Sequence, residues 1–175
     1  MDVTPPTLVS ARLELRPPLA SDIPLSLAIA SEAGARRFLG SHVSAADHFL
    51  RFCRSAGSWL LYGYGVFVIR PRDEEEVIGT CALFHSWRDL GPDFDDQPEA
   101  GWMLRKDQRG RGLAHEAMAT ALDWFDSTHG PRRIVCMIDT DNAPSIRLAG
   151  KLGFDLLRDA SLPDGQAVRL FERGR

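Results

Sequence analysis

Between residues 99 and 125 the chain changes character twice. Glu99-Ala100-Gly101-Trp102-Met103-Leu104 is a short strand-type run. It gives way to a cation-rich loop with two glycines, Arg105-Lys106-Asp107-Gln108-Arg109-Gly110-Arg111-Gly112. That loop opens an amphipathic pattern in which Leu113, Ala114, Ala117, Met118, Ala121, Leu122 and Phe125 share one helical face. His129-Gly130-Pro131 ends the pattern with a cation-capable last turn, a C′ glycine and a breaker. A strand feeding a helix with so apolar a stripe requires a sheet for the stripe to cover. The loop also suits an anion. Glycines let the backbone turn tightly and let a ligand approach its N–H groups, and the helix start adds unpaired donors and partial positive charge. Arg105, Lys106, Arg109 and Arg111 raise the local potential, although a plain connecting turn would read similarly. No Gly-Lys-Ser/Thr follows and no third glycine stands at dinucleotide spacing, which excludes both common nucleotide loops. A pyrophosphate-bearing cofactor on a shorter loop remains.

The rest of the chain supplies the sheet. Residues 8–16 alternate, with Val9, Ala11, Leu13 and Leu15 on one face, and read as one strand ending at Pro17-Pro18. Ser21-Asp22 with Pro24 opens a helix, and Gly34 and Gly40 punctuate short helical pieces. Ser44 and Asp47 open another helix, with Ala46, Phe49, Leu50 and Cys53 as its apolar stripe and Gly57-Ser58 as its end. Residues 59–70 and 77–85 read as a hairpin about a hydrophilic turn, followed by a Gly/Pro/Asp-rich loop over 87–98. Strands are expected at 134–138, 154–157 and 167–171, with a helix from Asn142 closed by Gly153. No repeat or linker interrupts this, so residues 1–175 form one α/β (α+β) domain with a core over about 8–171.

Charge and cysteine content narrow the partners. Lys+Arg 21 against Asp+Glu 24 gives a net charge of −3, which disfavours nucleic acid as a partner. Residues 59–69, the longest apolar stretch, fall short of the roughly 20 a membrane span needs. The start, Met1-Asp2-Val3-Thr4-Pro5-Pro6, lacks the basic and apolar regions of a signal peptide. Cys53, Cys81 and Cys136 are too few and too scattered for a disulfide framework or a zinc site, so no metal is expected. The expectation is a soluble cytoplasmic protein, monomer or homodimer.

Two blocks carry a family resemblance. Arg109-Gly110-Arg111-Gly112-Leu113-Ala114 resembles the R/Q-x-x-G-x-G/A signature of the GNAT N-acetyltransferases. Asn142-Ala143-Pro144-Ser145, continuing to Lys151-Leu152-Gly153-Phe154, is similar to the later N-x-x-S…K-L-G-F block, at the right order and interval. Arg12-Leu13-Glu14-Leu15-Arg16-Pro17 and Glu99-Ala100-Gly101-Trp102 resemble the RimJ/RimL branch of ribosomal-protein N-terminal acetyltransferases.

The resemblance implies a mostly antiparallel sheet splayed at an acetyl-CoA cleft, with helices on both faces. Trp102, Met103 and Leu104 would pair with the pantetheine arm through their backbone. Arg109, Gly110, Arg111, Gly112, Leu113, Ala114 and His115 would cradle the pyrophosphate. Asn142 and Lys151 would approach the cofactor, or serve simply as a helix N-cap and a solvated charge. Glu99 is the candidate base, directly or through water, unless it is a strand-end charge; His85 is the runner-up. The family's frequent tyrosine, six residues after the asparagine, is here Leu148. Ser145 takes its place as the candidate donor to the departing sulfur, or merely bonds nearby backbone.

The acceptor is then a primary amine, a protein N-terminus or a small molecule such as an antibiotic, polyamine or amino acid; a non-catalytic acyl-CoA-binding domain is the other reading. At pH 7 a lysine amine is neutral roughly once in 2,500 and an α-amine roughly once in seven, so the latter needs a base far less. Asp89, Asp93, Asp95 and Asp96 could steer a cationic amine or form a solvated acidic loop.

Overall fold

The computed structural model describes residues 5–39 and 44–174. Residues 1–4 and Gly40, which bear on the expected N-terminal character and the second helix break, lie outside that range. The described strands form one eight-stranded sheet in the order β1-β2-β3-β4-β5-β6-β8-β7. Its members are β1 (Leu8–Val9), β2 (Leu13–Arg16), β3 (Val66–Pro71), β4 (Gly79–Ser86), β5 (Gln97–Leu104), β6 (Ile134–Asp139), β7 (Asp155–Ser161) and β8 (Ala167–Arg173). All neighbours run antiparallel except β5 and β6, which pair in parallel at Glu99↔Val135.

Among the described residues five α-helices cover the sheet: α1 (Ile23–Ser31), α2 (Ala33–Leu39), α3 (Ala45–Tyr62), α4 (Leu113–His129) and α5 (Ala143–Lys151). The stripe expected on α4 buries Leu113, Ala117, Met118, Ala121, Leu122 and Phe125. It packs on Leu13, Leu15, Phe67, Ile69, Cys81, Leu83 and Ala100 to make the main core. Strand alternation turns Phe84 and Glu99, register partners on β4 and β5, to the opposite face. There α3 lies over Phe84, with Val66 and Ala82 beside it.

Expectations in three segments are corrected. Residues 8–16 are not one strand but a hairpin, pairing Leu8↔Leu15 and Val9↔Glu14. Glu116 on α4 fixes its turn, accepting from Ser10 Oγ at 2.7 Å, Arg12 N at 2.8 Å and Arg12 Nε at 2.6 Å.

The helix opened by Ser44 runs through Gly57-Ser58 to Tyr62 and stops at Gly63, whose φ of 76° is left-handed. It buries His48, Phe52, Ser58 and Trp59, while Phe49, Leu50 and Cys53 are exposed. The hairpin strand therefore begins at Val66 rather than Trp59.

The break between α1 and α2 falls at Glu32, and Gly34 lies inside α2. A Cβ at Gly34 would sit 2.9 Å from Arg109 Nη1, so this glycine makes room for that side chain.

Candidate functional site

Beyond Glu99↔Val135, β5 and β6 diverge. The rest of β5 is hydrogen-bonded to β4 along one edge only. Its other edge faces a cavity of about 430 Å3. Trp102, Met103 and Leu104 form one wall, Gly34, Ala35 and Phe38 of α2 a second, and Pro144, Ser145 and Leu148 of α5 a third. Arg109, Gly110, Gly112, Leu113, Ala114 and His115 close the end under α4, while Asn142 and Lys151 line the same space. Arg111 is the one member of the expected set that lies outside: its guanidinium donates to Gln108 and its carbonyl accepts from Arg12.

Gly110 and Gly112 take φ of 75° and 77°, a backbone that side chains with a Cβ adopt only at a cost. Gly112 is the N-cap of α4 and offers no side chain to its first N–H groups, which by helix geometry have no partner inside the helix. Arg109 is held from behind: Nε donates to Leu104 O at 2.8 Å, and Nη2 donates to Glu32 at 3.0 Å. The same Glu32 oxygen accepts from Lys106 N at 2.9 Å, so one carboxylate ties α1 to the glycine loop.

Asn142 caps α5, its Oδ1 accepting from Ser145 N at 3.2 Å, which leaves its amide donors to the cavity it lines. Ser145 Oγ accepts from Trp102 Nε1 at 3.3 Å across the cleft. With that acceptor position taken, the hydroxyl proton remains available for donation.

Phe38, Trp102, Asn142 and Ser145 also wall a second cavity of about 420 Å3, in which Glu99 lies. Glu99 is 3% exposed. Arg88 grips it bidentately, Nε to Oε2 at 2.6 Å and Nη2 to Oε1 at 2.7 Å, and Ser86 Oγ donates to Oε2. Burial pulls the Arg88 pKa down, but the charge of Glu99 and its hydrogen bonds more than reverse this, so the guanidinium stays protonated. A carboxylate has about four lone-pair positions; three are used here, and the remaining one is on Oε1.

His85 occupies the opposite face of β4. Its Nδ1 is 2.9 Å from Tyr64 Oη, its Nε2 is 3.0 Å from Asp96, and its ring stacks on Tyr62 at 4.1 Å. Three of the four aspartates before β5 are tied into structure, Asp96 through His85. Asp95 accepts from the N–H groups of Arg88, Leu90 and Gly91, and Asp93 pairs with Arg158.

Sequence reasoning missed Ser86 and Arg88, which carry no periodic signal, and the α2 wall. It also missed Arg51 and Arg54, which line the Glu99 cavity. Two cations three residues apart on a helix were the available clue to that pair.

The acetyltransferase (GNAT) domain family matches residues 12–155, and the chain belongs to it. Among curated proteins, the "Uncharacterized N-acetyltransferase p20" of Bacillus licheniformis is 30% identical over 108 residues, 60% of this chain and 58% of that protein. The matched region thus spans only a little over half of that relative's length. Among solved structures, a protein from Bordetella pertussis assigned to the GnaT acetyltransferase family is 34% identical, with a TM-score of 0.84 over 97% of this chain and 99% of that one. An acetyltransferase from Agrobacterium tumefaciens str. C58 is 27% identical, with a TM-score of 0.82 over 98% and 96%. The ribosomal L7/L12 α-N-protein acetyltransferase RimL, solved with coenzyme A, shares the fold at 19% identity and a TM-score of 0.72 over 97% and 98%.

Proposed function

We propose that the chain is a cytoplasmic N-acetyltransferase that moves an acetyl group from acetyl-CoA to the α-amine of a peptide or protein, by direct attack in a ternary complex. The observation that carries this reading is a pair of cavities that share walls. One combines a free strand edge with a glycine-lined helix start, the other holds a buried carboxylate, and Trp102, Asn142 and Ser145 border both.

The residues present suit the donor. The open edge of β5 offers backbone pairing to an amide-containing arm, and the turn around Gly110 and Gly112 offers main-chain donors to a diphosphate. When bound, acetyl-CoA supplies a thioester carbonyl open to attack by a neutral amine. Glu99 takes the amine's proton on the spare Oε1 position, directly or through a water. An α-amine, partly neutral already at pH 7, asks less of a base than a lysine amine does. Ser145, oriented by Trp102, donates its hydroxyl hydrogen toward the sulfur.

The test is thiol release from acetyl-CoA across matched acceptors. Turnover with peptides but not with small amines is expected. The reverse would make the acceptor a small molecule, and cofactor binding without turnover on any amine would make the protein a non-catalytic binder.

A further inference from the structure

The wall of the Glu99 cavity contributed by α3 is cationic. Arg51 and Arg54 stand three residues apart on that helix and line the same space, and Arg88 adds a third guanidinium. Arg88 is neutralised by its bidentate grip on Glu99. Arg54 has no carboxylate in contact among the described residues. Its guanidinium carbon lies 5.7 Å from the ring centre of Phe84, the strand partner of Glu99. A guanidinium over a ring keeps the donors along its edge available. Partial burial of its guanidinium and the charges of Arg88 and Arg51 lower the Arg54 pKa against the opposing charge of Glu99, while the residue as a whole stays exposed to solvent.

The far wall is of the opposite sign, formed by Asp139 at the end of β6 and Asp164 between β7 and β8. Asp139 is held there by Gln166 Nε2 and Asp141 N, each at 2.8 Å.

We infer that the acceptor bears an anionic group, a carboxylate or phosphate, near its amine, and that Arg54 binds this group beside Glu99. The inference rests on the acetyltransferase reading above. It fits an acceptor that arrives with both charges, its anion toward Arg54 on α3 and its amine at Glu99, in a cavity whose other wall carries Asp139 and Asp164. A polyamine would meet Arg54 instead, and Asp93, Asp95 and Asp96 of the loop before β5 are already engaged elsewhere.

The test uses peptides of one length with Glu, Gln or Lys beside the terminal amine, and in parallel an amino acid against its amide. Acidic acceptors should exceed their neutral counterparts by about tenfold or more in kcat/KM, the scale of one charge-assisted contact. Arg54→Ala should lower kcat/KM for the acidic acceptors by about 10- to 100-fold, chiefly through KM. It should leave the neutral acceptors and the KM for acetyl-CoA within about twofold, and Arg54→Lys should recover part of the loss. Equal kcat/KM for acidic and neutral acceptors, or an equal loss on both in Arg54→Ala, overturns the inference. If peptides are idle and small amines react, the peptide reading fails, while the carboxylate-to-amide ratio still decides the role of Arg54.

Discussion

Replacing Glu99 by glutamine preserves shape and removes a charge that is 3% exposed. Arg88 would lose the carboxylate it now holds at 2.6 and 2.7 Å. Stranding one member of a buried pair costs about 3–5 kcal/mol. Because Arg88 is 22% exposed, water recovers part of that, and about 3 kcal/mol is the expected loss. For a chain of this length that lowers Tm by about 6–12 °C in differential scanning. Activity, followed by thiol release, should fall by about 10²–10⁴-fold if Glu99 is the base. The two effects separate in the double variant Arg88→Met/Glu99→Gln, which removes both charges. Tm should largely recover while activity stays low. In Glu99→Gln the deficit should widen as pH falls below about 7.8, where less of an α-amine is neutral. An unchanged Tm in Glu99→Gln would refute the buried pair. Activity restored in the double variant, or a deficit independent of pH, would refute the base and leave Glu99 a positioning role.

Two further perturbations test the frame around the site. Gly112→Val places a branched side chain at φ 77° at a cost of about 1–2 kcal/mol, yet its Cβ meets nothing closer than Arg12 at 3.5 Å. The protein should fold and bind coenzyme A at least about tenfold more weakly by calorimetry, a difference of about 1.4 kcal/mol; unchanged affinity would remove the loop from the cofactor site. His48 and His129 both have pKa values lowered by burial, with Arg51 and Arg132 adding to the effect, so the unfolded chain binds the protons more readily. Their contribution is complete above the unfolded value of about 6.5 and is lost as pH falls through it, so Tm should drop from pH 7 to 5 and His129→Phe should flatten part of that slope.

The segment from β5 through α4 was legible because two periods meet there at a glycine turn, which local backbone chemistry signals even though Glu32 braces it from α1. The same holds for α5, whose cap and first turn are contiguous in sequence. Legibility failed where a distant partner decides. Alternation over residues 8–16 fits one strand or two; the turn exists because Glu116, about a hundred residues later, gathers three donors around it. Gly57-Ser58 looks like a helix stop, but Ser58 is buried and accepts from His85 N at 3.2 Å, so it serves the sheet instead. At the site, Glu99 could be singled out from its place at the start of β5. That its carboxylate is already clasped could not, because Ser86 and Arg88 reach it from the end of the neighbouring strand and follow no periodic pattern.

The divergence of β5 from β6 has a consequence for how this protein keeps from sticking to itself. Unpaired strand edges ordinarily recruit other chains, and proteins blunt them with charge, bulges or short length. Here the open edge is internal, roofed by α5 on one side and α2 on the other. A slender flexible molecule can thread between those helices, whereas a second polypeptide sheet cannot. The fold thus offers unpaired strand hydrogen bonds to a narrow ligand while the flanking helices shield that edge from another sheet.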